Sequence, residues 1–419
     1  MKPRAFIAFL LAPLIGWAAY ALLAHRVAIM FSQRWGQRLV RAGDGKFSDA
    51  AVFLQHRFYE GAWLLTLTVV LTLAVFATGA LLARRLTPIW KWVPFSLTGF
   101  VGVNVWLKFA SATCLFWCLF WNGKGTTNNL TQFHIKLLLM NENPAPMKVV
   151  LAGSSQVRAQ IDSRILNSYF GSNIFTTELH FPGNRCYDLL LLDHKLQGRK
   201  ADVILCYLSE LNFFDGPIGD GSAFFFNFRD LPELCELGGQ LRWSRRALAY
   251  GLLGETLPVF WIREPIPERF LGVEVTGIRQ KGRDAALASD LEQRAVEAAA
   301  GYRADAGSDF SFRAFEVFVA KCRAQHRTVI ACCGQLNPIL ARHLNPALRA
   351  QMRAFLRNLA AKYDNLALLD EGDLPIEAES DYEDLTHITA EARIRFTEAL
   401  EPVLQRLMLS KEQIRSKAG

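Results

Sequence analysis

The sequence has no Cys-x-x-Cys pair and no cysteine–histidine cluster at metal-ligand spacing, although it contains 8 cysteines and 8 histidines. A zinc ribbon or a thioredoxin-type redox motif therefore has no residues to build on, and neither a metal nor an organic cofactor is expected. Cys332 and Cys333 are adjacent within an apolar run that reads as a buried strand, and Cys114 and Cys118 fall in a candidate membrane helix. No disulfide framework is legible. His134, His180, His194, His326 and His343 show no paired spacing and read as ordinary surface or core histidines. Long blocks of lysine and arginine are also missing. The 47 basic and 39 acidic residues are interspersed and leave a net charge of +8, so nucleic acid is not an expected partner. No internal repeat is visible.

Long hydrophobic runs, in contrast, are abundant. Apolar residues make up 51% of the chain, and the mean hydropathy of +0.13 is high for a protein soluble throughout. Residues 5–24 carry no charge and follow Lys2 and Arg4, the pattern of a signal anchor. Residues 63–83 form a second charge-free run, stopped by Arg84 and Arg85, and residues 93–121 a third, which ends in an aromatic stretch suited to a lipid interface. Lys108 inside the third run reads as a snorkelling side chain or, alternatively, as a polar site in the membrane. Three crossings with the N-terminus inside would put the rest of the chain, residues 122–419, outside the cytoplasm. The charge rule does not endorse this cleanly, because loop 26–61 carries Arg26, Arg34, Arg38, Arg41, Lys46 and Arg57. The expectation is a multi-pass membrane protein in contact with lipid, its larger domain extracytoplasmic.

Composition changes after Trp121. Residues 122–146 read as a polar linker, and residues 147–408 alternate short β-rich runs with amphipathic stretches, the pattern of an α/β domain with a parallel sheet. Strands are expected at 148–152, 174–179, 203–208, 328–333 and 366–369, with helices over 310–325 and 348–363. A closing helix has Phe396, Ala399, Leu400, Val403, Leu404 and Leu407 on one stripe, and residues 409–419 form a polar tail. Residues 213–270 are unusually aromatic. They read as a lid or membrane-facing surface, or as a helical insertion with its rings packed inward.

Two short segments carry candidate chemistry. In the first, an apolar strand runs into Gly153-Ser154-Ser155 and then a helix, which sets the Ser155 hydroxyl at the carboxyl end of a parallel sheet, where ligands bind in such folds. Its N–H, at a helix start, can serve as an oxyanion donor. In the second, Asp384 and His387 are three apart just before the last helix, a spacing that lets a carboxylate fix the imidazole that activates a serine. The bland alternative is a helix-start loop with Thr389 as N-cap and Glu391 in the first turn. Gln335 and Asn337, after the fourth strand, line the same edge or belong to a loop capped by Asn-Pro.

The strand-Gly-Ser-Ser opening, the Asp-x-x-His close and the α/β alternation between them resemble the SGNH/GDSL hydrolase superfamily over residues 147–408. The resemblance implies a three-layer α/β/α domain with Ser155 as nucleophile, His387 as base and Asp384 as orienting acid. Ser154 stands where GDSL members carry aspartate, as in the membrane-linked acyl-transfer branch that includes the D-alanyl transfer proteins of teichoic-acid modification. It further implies Gly183 as an oxyanion donor. The usual Gly-x-Asn-Asp block is replaced by YLSELNFFD, where Asn212 is the nearest substitute and Ser209 and Glu210 are rivals. The implied activity is that of a serine esterase or O-acyltransferase on an acylated envelope glycan, small-molecule or lipid-linked substrate, with a multi-span acyltransferase as partner. The competing expectation is a non-catalytic glycan-binding or scaffold protein with a degenerate site.

Overall fold

The structure, a computed structural model, describes residues 58–83, 92–110, 133–134, 136–141, 143–180, 185–214, 257, 288–304, 306–375 and 377–418. The chain divides into two compact units, residues 1–138 with 256–276 and residues 139–255 with 277–419.

In the first unit, helices α1 (Phe58–Ala83) and α2 (Trp92–Ala110) pack along each other. At Gly102 the approach is so close that a Cβ would collide with Val75. One helix among the described residues is long and apolar enough to cross a membrane, over Leu64–Ala83, where the second span is expected. The three-span anchor is not confirmed: the described part of the third run is the 19-residue α2, which carries Ser96, Thr98, Asn104 and Lys108 and is not among the helices apolar enough to cross. The run 5–24 and residues 111–121 lie outside the described residues.

The second unit is α/β. Its strands are β1 (Met147–Gly153), β2 (Ile174–His180), β3 (Val203–Leu208), β4 (Thr328–Cys333) and β5 (Leu366–Leu369). They form one sheet in the order β2-β1-β3-β4-β5, with every neighbouring pair parallel. The accompanying helices are α3 (Ser155–Gln160), α4 (Ser163–Phe170), α5 (Cys186–Leu196), α6 (Glu210–Phe214), α7 (Ala288–Ala299), α8 (Ala306–Ala324), α9 (Pro338–His343), α10 (Pro346–Lys362) and α11 (Ala390–Ala418).

Every residue of β3 and β4 is buried, because helices cover both faces, as continuous apolar strands of a parallel sheet require. On one face Val149, Leu151, Leu205, Tyr207 and Ile330 pack with Val157 of α3 and with Phe396, Leu400 and Leu404 of α11. The alternate residues Ile204, Cys206 and Ala331 are equally buried on the side of α5 and α8, which pack on each other and on the sheet. Burial pushes the Cys186, Cys206 and Cys322 thiols up, as expected of inert core cysteines. The stripe of α11 departs from expectation at one position. Ala399 is exposed and Ala392 and Met408 are buried instead, because positions four apart, from 392 to 408, follow the contact line with the sheet.

The strand order positions the site. From β1 the chain passes to β2 on one side and then to β3 on the other, so the connections leaving β1 and β3 diverge. In open α/β sheets the crevice at the carboxyl ends of such a strand pair is where ligands bind.

Candidate active site

At the end of β1 the backbone of Gly153 has φ +151°, and a Cβ there would lie 2.9 Å from the Tyr207 carbonyl oxygen on β3. Glycine alone fits this turn. Ser154 follows as the N-cap of α3, its buried hydroxyl accepting the Gln156 N–H at 3.3 Å. That cap makes Ser155 the first helical residue, where the helix has no acceptor for its N–H.

The second segment closes on it from the far end of the chain. His387 Nε2 lies 2.8 Å from Ser155 Oγ. Its other ring nitrogen, Nδ1, lies 2.8 Å from Oδ2 and 3.0 Å from Oδ1 of Asp384. The imidazole thus bridges hydroxyl and carboxylate, with both side chains of the Asp–His pair about four-fifths shielded. Asp384 Oδ1 also accepts the N–H groups of Thr386 and His387, each at 2.9 Å, and the Thr386 hydroxyl at 3.2 Å. Burial disfavours the charged carboxyl, but the His387 contact and these N–H donors outweigh it and hold the Asp384 pKa well below the usual carboxylate range.

The loop that carries the pair is fastened on several sides. Tyr382 and Ile388 form an antiparallel bridge, Glu383 N donates to His387 O at 2.8 Å, and Thr389 N donates to Asp381 O at 2.7 Å. Thr389 also caps α11, its hydroxyl accepting from Ala392 N at 3.3 Å. Capping and triad geometry therefore coexist in one segment. Asn337 caps α9 through Ile339 N at 2.9 Å and clasps the loop through Asp384 O at 3.0 Å. Gln335 is likewise structural: its side chain bonds Pro375 O and Glu377 N.

The remaining candidates divide. Gly183 lies outside the described residues. Asn212 is 1% exposed, and its Oδ1 accepts the Ser209 N–H at 2.8 Å. Its rivals are committed to other partners. Glu210 is ion-paired to Arg349 at 2.6 Å, and the Ser209 hydroxyl donates to Gln156 Oε1 at 2.7 Å. Of the aromatic insertion only Phe213, Phe214 and Leu257 are described. Phe213 and Phe214 are buried, Phe213 stacking on Phe312 at 4.7 Å.

Three participants were not singled out from sequence. Thr386 supports Asp384 in an Asp-x-Thr turn, a local signature that was there to read. Gln156 had no signal beyond following the serine. Glu377, below the acid loop, has its carboxyl pushed up to about 7 by burial and by Asp381 four positions on; the nearby acid is visible in the sequence, but the burial depends on the tertiary fold. Among the described residues no group of three or more His, Cys, Asp or Glu side chains is arranged to hold a metal.

The chain matches no protein-family model, no curated protein and no solved structure. Its chemistry is therefore argued from the site.

Proposed function

We propose that the second unit is a serine-dependent acyl-transfer domain of the SGNH kind, acting on an acylated glycan or lipid-linked substrate of the cell envelope. The observation that carries this reading is the continuous line from Ser155 Oγ through both nitrogens of His387 to Asp384. A hydroxyl, a base and an orienting acid in that order are what acyl transfer through serine needs.

Ser155 Oγ attacks the acyl carbonyl carbon and its proton passes to His387 Nε2. Asp384, already ionised, stabilises the imidazolium that forms. Collapse of the tetrahedral intermediate expels the alcohol, which leaves with the proton from Nε2, and the acyl group stays on Ser155. A water or a sugar hydroxyl then gives its proton to His387 Nε2 as its oxygen attacks the acyl carbon, and on collapse the Ser155 Oγ–acyl bond breaks and Oγ takes the proton back from Nε2. The Ser155 N–H is one oxyanion donor, and by the resemblance the Gly183 N–H and the Asn212 amide are the others. The test is incubation of the full-length protein with an aryl acetate, alone and with an oligosaccharide acceptor. Expected are aryl alcohol release, an acetyl group on the Ser155 peptide by mass spectrometry, and its movement to water or sugar. Release without an acetylated Ser155, and unchanged in Ser155→Ala, would refute the mechanism.

The membrane reading rests on Leu64–Ala83 and on the exposed apolar side chains of α1 and α2, among them Val70, Phe76, Leu97, Phe100 and Phe109. A helix pair with such a surface is suited to lipid, so α2 is proposed as a second membrane helix; with residues 5–24 as a further crossing and the N-terminus inside, the second unit is extracytoplasmic. A C-terminal fusion to an enzyme that folds only outside the cytoplasm should be active. Activity of a cytoplasm-only reporter instead would reverse the orientation.

A further inference from the structure

The Ser155 turn after β1 and the Ser209–Asn212 turn after β3 leave adjacent strands in diverging directions, and one side chain joins them. Gln156 immediately follows Ser155 and is 1% exposed. Its Oε1 accepts the Ser209 hydroxyl at 2.7 Å and lies 3.4 Å from the Ser154 hydroxyl. Its own N–H is capped by Ser154. Ser209, wholly buried at the end of β3, gives its N–H to Asn212 Oδ1. A chain of buried polar groups thus runs from the serine turn at the end of β1 to the amide at the start of α6.

Burying an amide costs more than burying an apolar side chain of the same size, so it is the directed bonds of Gln156 to Ser209 and Ser154 that set it apart from ordinary core packing.

Resting on the acyl-transfer reading above, we infer that Gln156 is a positioning residue that locks the Ser155 turn to the Ser209–Asn212 turn, so that nucleophile and oxyanion donors act as one rigid frame. It acts through Ser209 and has no direct role on the substrate.

The experiment measures the rate of Ser155 modification by a fluorophosphonate in the detergent-solubilised full-length protein, over a range of reagent concentrations, with melting temperature followed in parallel. Gln156→Met and Ser209→Ala should each slow the maximal rate by roughly 10- to 100-fold, as misplacement of reacting groups does, with little change in half-saturating concentration. The double variant should be no slower than either single, because both cut the same link, and Ser209→Thr should restore most of the rate. Losses that multiply in the double variant, or rates that track only the melting temperature, would overturn the inference. A labelled wild type with both variants unaffected overturns it alone, and a well-folded wild type that takes no label overturns the acyl-transfer reading as well.

Discussion

His387→Ala is expected to lower the rate at which Ser155 is acylated or phosphonylated by about 1,000-fold or more, the scale seen when the base of a serine–histidine pair is removed. Among the described residues the one base bonded to Ser155 Oγ is His387, through its Nε2 at 2.8 Å, and without it the hydroxyl must lose its proton to water. Ser155→Ala should abolish modification altogether. Stability should change little in His387→Ala. The side chain is 19% exposed, and the two backbone bonds that close the loop, Glu383 N to His387 O and His387 N to Asp384 Oδ1, survive the truncation. Thermal melting of the two variants beside stopped-assay rates checks both halves. A similar loss of melting temperature and rate would mean that His387 holds the fold and does not act on Ser155.

Asp384→Asn is the second large effect, expected at about 100- to 10,000-fold in rate. The amide keeps an oxygen for the Thr386 and His387 N–H groups, so the turn can persist. It presents an N–H to the imidazole or the wrong acceptor strength, and Nε2 is then no longer held ready to receive the serine proton. The same residue should mark the stability profile. Its folded-state pKa is depressed, so its contribution is present above the unfolded carboxylate range, about pH 3.9, and is lost as pH falls below that toward the folded value. Glu377 works with the opposite sign. Its pKa is raised to about 7, so the stability it contributes at low pH is lost as pH rises from the ordinary glutamate range through about 7. Melting temperature against pH should therefore lose part of its acid slope in Asp384→Asn and part of its slope toward neutral pH in Glu377→Gln. An unchanged acid slope in Asp384→Asn would contradict the ionised, hydrogen-bonded carboxylate.

Much of the second unit was legible because its strands are buried on both faces. Continuous runs such as TVIACC at Thr328–Cys333 have no competing helical reading once Gly334 and the preceding polar turn bound them, and the observed strands start and stop within a residue of expectation. The Gly153 turn was legible for a similar reason, since a glycine and two serines between strand and helix leave few backbone conformations. What sequence could not supply was long-range pairing. Asn337-Pro338 signals a cap locally, but nothing near it indicates that Asn337 also holds the Asp384 carbonyl 47 positions away, and nothing near Ser209 names Gln156 as its acceptor. Such contacts depend on which strands lie side by side, a property of topology. In the first unit hydropathy marked residues 93–121 as one span with Lys108 inside it. Hydropathy averages over all faces of a helix, whereas α2 turns Gly102 onto Val75 of α1 and leaves Leu97, Phe100 and Phe109 exposed, and its polar residues lower its overall apolarity.

The most direct measurement is to treat the full-length protein with a fluorophosphonate and locate the adduct by tandem mass spectrometry. An adduct on Ser155 alone, formed by the wild type and lost in His387→Ala and Asp384→Asn, is the predicted result. A folded wild type that remains unmodified, or an adduct on another serine that persists in both variants, would contradict an activated nucleophile at the end of β1.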